Sequence, residues 1–208
     1  DCIVCGSDQT WNLDPNIRYE TPLYYMNFPK VQRRITYATS FGSWVENFPL
    51  REKELLPWIE QFDALSMREE SGVRMLQSRG MACEWVLDPT LLLEQTDYDK
   101  IAEKRIIDEP YVLLFSWNGA EEAVEITKKV SDKLGCKAFY IVPPPRAMFC
   151  GIQRKLDVGP REFLSLVKYA EFIVTNSFHG TVFSTIYKKP FISAIKGEVD
   201  PRRASLMK

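Results

Sequence analysis

Histidine is almost absent from this chain: His179 is the single one among 208 residues, so any imidazole chemistry has one address. Long apolar runs are missing too. None approaches the ~20 residues that a membrane-spanning helix needs, and no secretory leader is visible. Net charge is close to nil, −1 from 27 basic and 28 acidic residues, which excludes a global field for nucleic acid while leaving room for a local basic pocket that takes a small anion. There is no internal repeat and no low-complexity segment. The five cysteines form an odd set without metal-type pairing, which argues for reduced thiols and a cytoplasmic setting rather than a disulfide framework. Cys2 and Cys5 do make a C-x-x-C, but Ile3 and Val4 between them read as strand, not as a zinc knuckle or redox turn.

What is present is ample for a core: 45% hydrophobic residues, 12% of all residues aromatic, with 26% charged. The length suits one large domain or two of about 100 residues. Short apolar runs alternate with amphipathic ones along the chain. A strand over 1–5 leads into a polar, glycine-containing loop over 6–12, where an apolar core residue would be out of place. An aromatic-rich, half-buried loop follows over 19–28. A strand then starts at Arg34 and leaves through Ser40-Phe41-Gly42. Leu55, Leu56, Ile59 and Phe62 stand at helical spacing, so 51–62 is a one-faced surface helix. A short strand at 63–67 runs into a helix carrying Val73 and Leu76, and a strand at 84–88 ends at the turn Asp88-Pro89.

A short helix over 98–105 and the charged stretch up to Pro110 then place a domain boundary near residues 103–109, giving an N-terminal domain 1–106 and a C-terminal domain 107–208. Beyond it the order is a strand 111–116, turn Asn118-Gly119, helix 121–134, Gly135 as helix stop, strand 138–142, a stiff proline loop with Arg146, helix 161–170, strand 172–174, helix 181–187 and strand 190–196. This grammar predicts an α/β fold with mainly parallel sheets and right-handed crossovers in both halves. The chain opens at Asp1 inside a strand and closes at Lys208 as a helix begins, so a piece of a longer protein is expected.

In open α/β sheets ligands gather at the carboxyl ends of strands, facing the N–H groups of the next helix. The run Thr175-Asn176-Ser177-Phe178-His179-Gly180-Thr181 passes from a buried strand through small polar residues into a helix and puts His179 at such a mouth. As a lone histidine it serves equally as a cap or core group, or as a ligand. Gly6, Ser7 and Asp8 form a second strand-end candidate. Arg68 lies at a third, where its guanidinium can fork onto a phosphate or carboxylate, or pair with Glu69, Glu70 or a neighbouring element. Asp88 is a further strand-end carboxylate.

Five motifs in order, Gly6-Ser7-Asp8-Gln9-x-Trp11-Asn12, Tyr37-Ala38-x-Ser40-Phe41-Gly42, Ser66-x-Arg68-Glu69-x-Ser71-Gly72, Asp88-Pro89-Thr90-Leu91-Leu92 and the segment 175–181, resemble the polysaccharide pyruvyl transferase family. The resemblance implies two Rossmann-like domains facing across a cleft, as in type B glycosyltransferases, with an incomplete N-terminal domain on the acceptor side and the donor side C-terminal. It implies phosphoenolpyruvate as donor substrate, no other cofactor, no metal, and a saccharide or lipid-linked saccharide as acceptor. The setting it implies is a bacterial surface polysaccharide or its precursor, with peripheral association to membrane-bound machinery.

Residue by residue, the resemblance implicates His179 and Arg68, with a basic residue after the last strand matched to Lys196, for which Arg202 and Arg203 compete. His179 is then the proton-transfer group, or a phosphate ligand with Asp8 as base. Ser177, Gly180, Thr181, Gly6 and Ser7 complete the expected substrate-binding set. Two other functions fit the same architecture: a nucleotide-sugar glycosyltransferase, and a non-catalytic saccharide-binding protein of a polysaccharide locus.

Overall fold

A computed structural model describes residues 1–16, 22–116, 121–141, 151–154 and 157–193. Its strands form two separate parallel sheets. The first holds β1 (Cys2–Asp8), β2 (Arg33–Thr39), β3 (Leu65–Met67) and β4 (Cys83–Trp85), side by side in chain order. Helices α1 (Phe48–Ile59) and α2 (Glu70–Gln77) provide crossovers, as parallel pairing requires. The second sheet holds β5 (Tyr111–Phe115), β6 (Lys137–Tyr140), β7 (Gln153–Arg154), β8 (Phe172–Thr175) and β9 (Phe191–Ser193), in the order β7-β6-β5-β8-β9. Its helices are α4 (Glu121–Leu134), α5 (Pro160–Tyr169) and α6 (Phe178–Ile186). The expected α/β class with parallel sheets is what the chain adopts.

The residue types explain the second sheet directly. On β5, alternate side chains point to opposite faces. Tyr111 and Leu113 join Leu164, Val167, Phe183 and Ile173 on one side, while Val112 and Leu114 join Ala123, Tyr140 and Val174 on the other. Both faces of β5 are therefore covered, which is why it reads as an unbroken apolar run. Gly135, at φ 62°, ends α4 in the left-handed conformation that a glycine reaches without penalty.

The contact pattern divides the chain after Leu92, with the second unit starting at Leu93, earlier than the boundary at 106/107 read from the charged stretch. Packing supplies the reason. The five-residue helix α3 (Gln95–Asp99) lays Tyr98 edge-on to Phe183, with ring centroids 5.0 Å apart, and Ile107 is buried in the same cluster. Charge and proline mark a surface loop, but the apolar side chains within it already belong to the second core.

Two further expectations change. The polar loop at 6–12 begins later, because β1 runs on through Gly6, Ser7 and Asp8, pairing along β2 from Cys2 opposite Arg33 to Asp8 opposite Thr39. That loop also buries an aromatic anchor. Trp11 is 1% exposed at the centre of the first core, stacked on Tyr25 at 5.0 Å and edge-on to Phe62 at 5.5 Å, with its indole N–H donating to the Tyr24 carbonyl. A tryptophan whose one donor is satisfied is at no disadvantage in such a loop.

β2 carries an extra residue against β3. Ile35 stands opposite Ala64 and Thr39 opposite Met67, so Thr36, Tyr37 and Ala38 face only Leu65 and Ser66. Ala38 takes up the excess with φ 55°, and side-chain hydroxyls replace the interrupted ladder. Thr36 Oγ1 donates to the Ser66 carbonyl, Ser66 Oγ donates to the Thr36 carbonyl, and the Ala38 N–H donates to Ser66 Oγ.

Candidate active site

The second sheet reverses its winding between β5 and β8: from β5 the chain steps outward to β6 and β7, then returns to place β8 and β9 on the other flank. Such a reversal opens a crevice at the carboxyl edge, the usual ligand position in an open α/β sheet. The register sets Phe115 opposite Thr175 and Thr175 opposite Ser193, so the residues that follow these strands meet at this point.

The turn out of β8 is built by hydroxyls. Thr175 Oγ1 donates to the Phe115 carbonyl at 2.6 Å and accepts from the Ser177 N–H at 3.0 Å. Ser177, in extended backbone at φ −84° and ψ 140°, is the N-cap of α6, and its Oγ accepts from the Gly180 N–H at 3.3 Å. Thr181 Oγ1 donates back to the Ser177 carbonyl at 3.1 Å and lies 3.5 Å from Ser193 Oγ. Gly180 is a matter of space: a Cβ there would stand 2.2 Å from Thr175 Oγ1 and 2.9 Å from Phe115 Cδ1, so only a glycine lets the helix approach the strand end this closely.

His179 falls inside the first turn of α6, which starts at Phe178 and not at Thr181 as the sequence pattern suggested. It is half-buried, and its ring meets Phe178 edge-on at 5.3 Å. Capping is done by Ser177, so of the two bland uses of a lone histidine that one is already filled. Ser177 and Thr181 are buried at 7% and 2% exposure, respectively, and with Gly180 they form the frame that holds His179 at the mouth. Ser116, at the end of β5, and Ser193, at the end of β9, share this edge. Neither stood out in the sequence, because only the strand order brings the ends of β5, β8 and β9 to one edge.

At the carboxyl edge of the first sheet Arg68 is the centre. Its N–H donates to the Thr39 carbonyl, and its carbonyl accepts from Trp85 Nε1 at 3.1 Å, which fixes its backbone between β2 and β4. The guanidinium spends its fork on carboxylates: Nε donates to Glu69 Oε1 at 2.9 Å, Nη1 to Asp88 Oδ2 at 2.8 Å, and Nη2 to Asp8 Oδ1 at 3.2 Å. Glu70, a partner also weighed for Arg68, makes an ion pair with Arg74. The side chains of Arg68, Glu69 and Asp88 are 2%, 2% and 1% exposed, whereas that of Asp8 is 66% exposed.

Each buried carboxylate is held by a second donor. Ser40 Oγ donates to Glu69 at 2.7 Å, and the Thr90 hydroxyl and N–H donate to Asp88 Oδ1 at 2.6 and 3.1 Å. Burial alone would lift the Asp88 pKa; the hydrogen bonds from Thr90 and Arg68 outweigh it and hold the carboxyl below its ordinary value. Burial likewise opposes charge on Arg68, and the Glu69 and Asp88 carboxylates reverse that, raising its pKa. Gly6 and Ser7 lie inside β1, exposed and half-exposed, on the strand that delivers Asp8 to Arg68. Glu69, Asp88 and Thr90 belong to motifs visible in the sequence, but the meeting of Asp8, Glu69 and Asp88 on one guanidinium depends on β1, β3 and β4 ending together. Lys196, Arg202, Arg203 and Arg146 lie outside the described residues. Among the described residues no cluster of His, Cys, Asp and Glu has the arrangement of a metal site.

The motifs around these two strand edges coincide with a family match: the family described as polysaccharide pyruvyl transferase covers residues 1–195. The chain belongs to that family. No curated protein matches the chain at a significant level. Among solved structures the fold resembles a putative UDP-N-acetylglucosamine 2-epimerase from Listeria monocytogenes, at TM-score 0.62 and 11% identity, covering 100% of this chain and 60% of that one. The UDP-GlcNAc 2-epimerase of Methanocaldococcus jannaschii, in complex with UDP-GlcNAc and UDP, is similar at TM-score 0.53 and 17% identity over 92% of this chain and 59% of its own. This polysaccharide pyruvyl transferase family member thus spans about three-fifths of the length of those enzymes and shares their fold, of the type B glycosyltransferase kind. No helix among its described residues is long and apolar enough to cross a membrane.

Proposed function

We propose that this pyruvyl transferase family member moves the pyruvyl unit of phosphoenolpyruvate onto hydroxyl groups of a sugar, leaving a pyruvate ketal on a bacterial surface polysaccharide or its lipid-linked precursor. The observation that carries the reading is the position of His179. The only imidazole of the chain stands half-buried in the first turn of α6, at the reversal point of the second sheet, within a family match that covers both units. Helix N-terminal amides there favour an anion by about 0.3–1 kcal/mol when exposed, and more when buried.

The chemistry asks for one proton-moving group. The methylene carbon of phosphoenolpyruvate gains a proton and becomes a methyl group, and an oxocarbenium-like centre develops at the neighbouring carbon. A sugar hydroxyl attacks that carbon and gives up its proton, the bond from the carbon to the phosphate oxygen breaks with release of inorganic phosphate, and a second hydroxyl closes the ketal as its proton passes to the departing phosphate. An imidazole titrates near pH 6.5 when unperturbed, so His179 can give or take the proton at neutral pH, a contribution of about 100- to 10,000-fold. Arg68 and a C-terminal cation, Lys196 or one of Arg202 and Arg203, then neutralise the phosphate and carboxylate of the donor. Such a reaction proceeds in the cytoplasm, where phosphoenolpyruvate is found, next to the membrane-bound machinery that supplies lipid-linked acceptors.

The test is direct incubation with phosphoenolpyruvate and saccharide acceptors. Expected are phosphate release and an acceptor mass gain equal to one pyruvate ketal, with His179→Ala folded and slowed by at least about 100-fold. Normal transfer by folded His179→Ala removes the histidine from catalysis. Thermal stabilisation by phosphoenolpyruvate, a ligand bound by the native state, is the companion measurement. Stabilisation by a uridine-diphosphate sugar in its place turns the assignment to the nucleotide-sugar reading.

A further inference from the structure

Three carboxylates face one guanidinium at the edge of the first sheet, and they are not equivalent. Glu69 and Asp88 are buried, sit at 2.9 and 2.8 Å from Arg68, and are each held by a hydroxyl donor, Ser40 or Thr90. Asp8 is two-thirds exposed, sits farther away at 3.2 Å, and has a left-handed backbone at φ 68°. Aspartate tolerates that conformation better than most residues, yet at a cost that the surrounding structure must offset. The strand end thus presents the Asp8 carboxylate to Arg68 from the solvent side.

We propose that Asp8 is an internal stand-in for the ligand: a phosphate or carboxylate anion binds Arg68 by displacing Asp8, while Glu69 and Asp88 remain in place as positioning residues that aim the guanidinium. This deepens, and rests on, the phosphoenolpyruvate reading. Charge dictates exchange instead of addition. A dianion added beside three carboxylates brings two further negative charges to a cluster with one guanidinium, whereas exchange for the exposed carboxylate brings only one. The planar fork suits the exchange, since a phosphate or carboxylate oxygen can accept from the same Nη2 that Asp8 leaves. The bound state then has Asp8 released into solvent next to the anion.

The prediction separates two removals of the same charge. Asp8→Asn and Asp88→Asn each delete one negative charge near Arg68, so a purely diffuse electrostatic effect tightens anion binding in both. Displacement instead requires opposite signs. With inorganic phosphate as probe, titrated calorimetrically against the whole chain, Asp8→Asn should bind about two- to fivefold more tightly than wild type. Asp88→Asn should bind more weakly, because the guanidinium loses its aim. Thr90→Val, which removes only the hydroxyl that steadies Asp88, should shift affinity in the same direction as Asp88→Asn and keeps the positioning arm readable if Asp88→Asn does not fold. The proposal is overturned if Asp8→Asn leaves phosphate affinity unchanged or weakens it, if folded Asp88→Asn or Thr90→Val tightens it, or if neither wild type nor Asp8→Asn binds phosphate. Pyruvyl transfer is scored separately: turnover without tightening in Asp8→Asn sinks the displacement alone, and tightening without turnover of phosphoenolpyruvate sinks the transfer reading alone.

Discussion

The two strand edges that carry the candidate residues are built on opposite plans. In the first unit the strands lie in chain order, and the polar groups at their ends neutralise one another around Arg68, largely out of water. In the second the strand order reverses, and the polar groups at the edge are spent on shaping a turn that offers a half-buried imidazole. One edge is held together by charge, the other by hydroxyls and a close helix approach. Substitutions of the buried carboxylates at the first should therefore register in stability as well as in anion affinity, and substitution of His179 in chemistry alone.

The largest expected effect is on the charged edge. Asp88→Ala leaves the buried guanidinium short of a partner and should cost about 3–5 kcal/mol in denaturant unfolding of the first unit. A loss below about 1 kcal/mol would mean that the cluster is far wetter than its burial indicates. The same carboxyl sets an acid limit. Its folded pKa is depressed, so its stabilisation is complete above the unfolded value, near pH 4, and disappears as pH falls through the lower folded value. Stability measured between about pH 5 and pH 2 should fall more steeply in wild type than in Asp88→Asn.

Next comes the sharpest test of the contrast. His179→Ala should lose at least about 100-fold in pyruvyl transfer while unfolding within about 1 kcal/mol of wild type. A large stability loss with activity retained would make the two edges alike. Gly180→Ala forces a methyl group against Thr175 and Phe115 and should destabilise by about 1–3 kcal/mol, seen as a lowered unfolding midpoint. The smallest change is Ser177→Ala, which removes the N-cap of α6 and should cost about 1 kcal/mol in the same measurement.

How much of this was legible in the sequence follows the range of the interactions. Helix α4 occupies the predicted 121–134 because its apolar spacing and Gly135 are local signals. The start of α6 is earlier than its amphipathic pattern suggests because Ser177 caps it, a hydrogen bond three residues long that places His179 within the helix. Trp11 looked like a loop residue because polar neighbours surround it in sequence, while its partners Tyr25, Phe41 and Phe62 arrive from elsewhere. Arg68 was recognised as a strand-end cation, yet its carboxylates come from β1 and from the segment after β4, and no local pattern announces that these ends converge. The extra residue in β2 is the extreme case, since its signature is a mismatch between two strands and is written in neither alone.

That extra residue also makes the chain length at this point a functional quantity. Side chains on a strand alternate in facing, so a one-residue excess inverts the parity of everything beyond it. Ser40, whose hydroxyl holds Glu69 against Arg68, is just downstream of Ala38. Removing Ala38 would delete a single methyl-bearing residue and leave every charged group untouched, and would still turn Ser40 away from Glu69. At this strand the spacing of residues carries information that their identities do not, and a shortened loop elsewhere in the chain would be tolerated far better than a single deletion here.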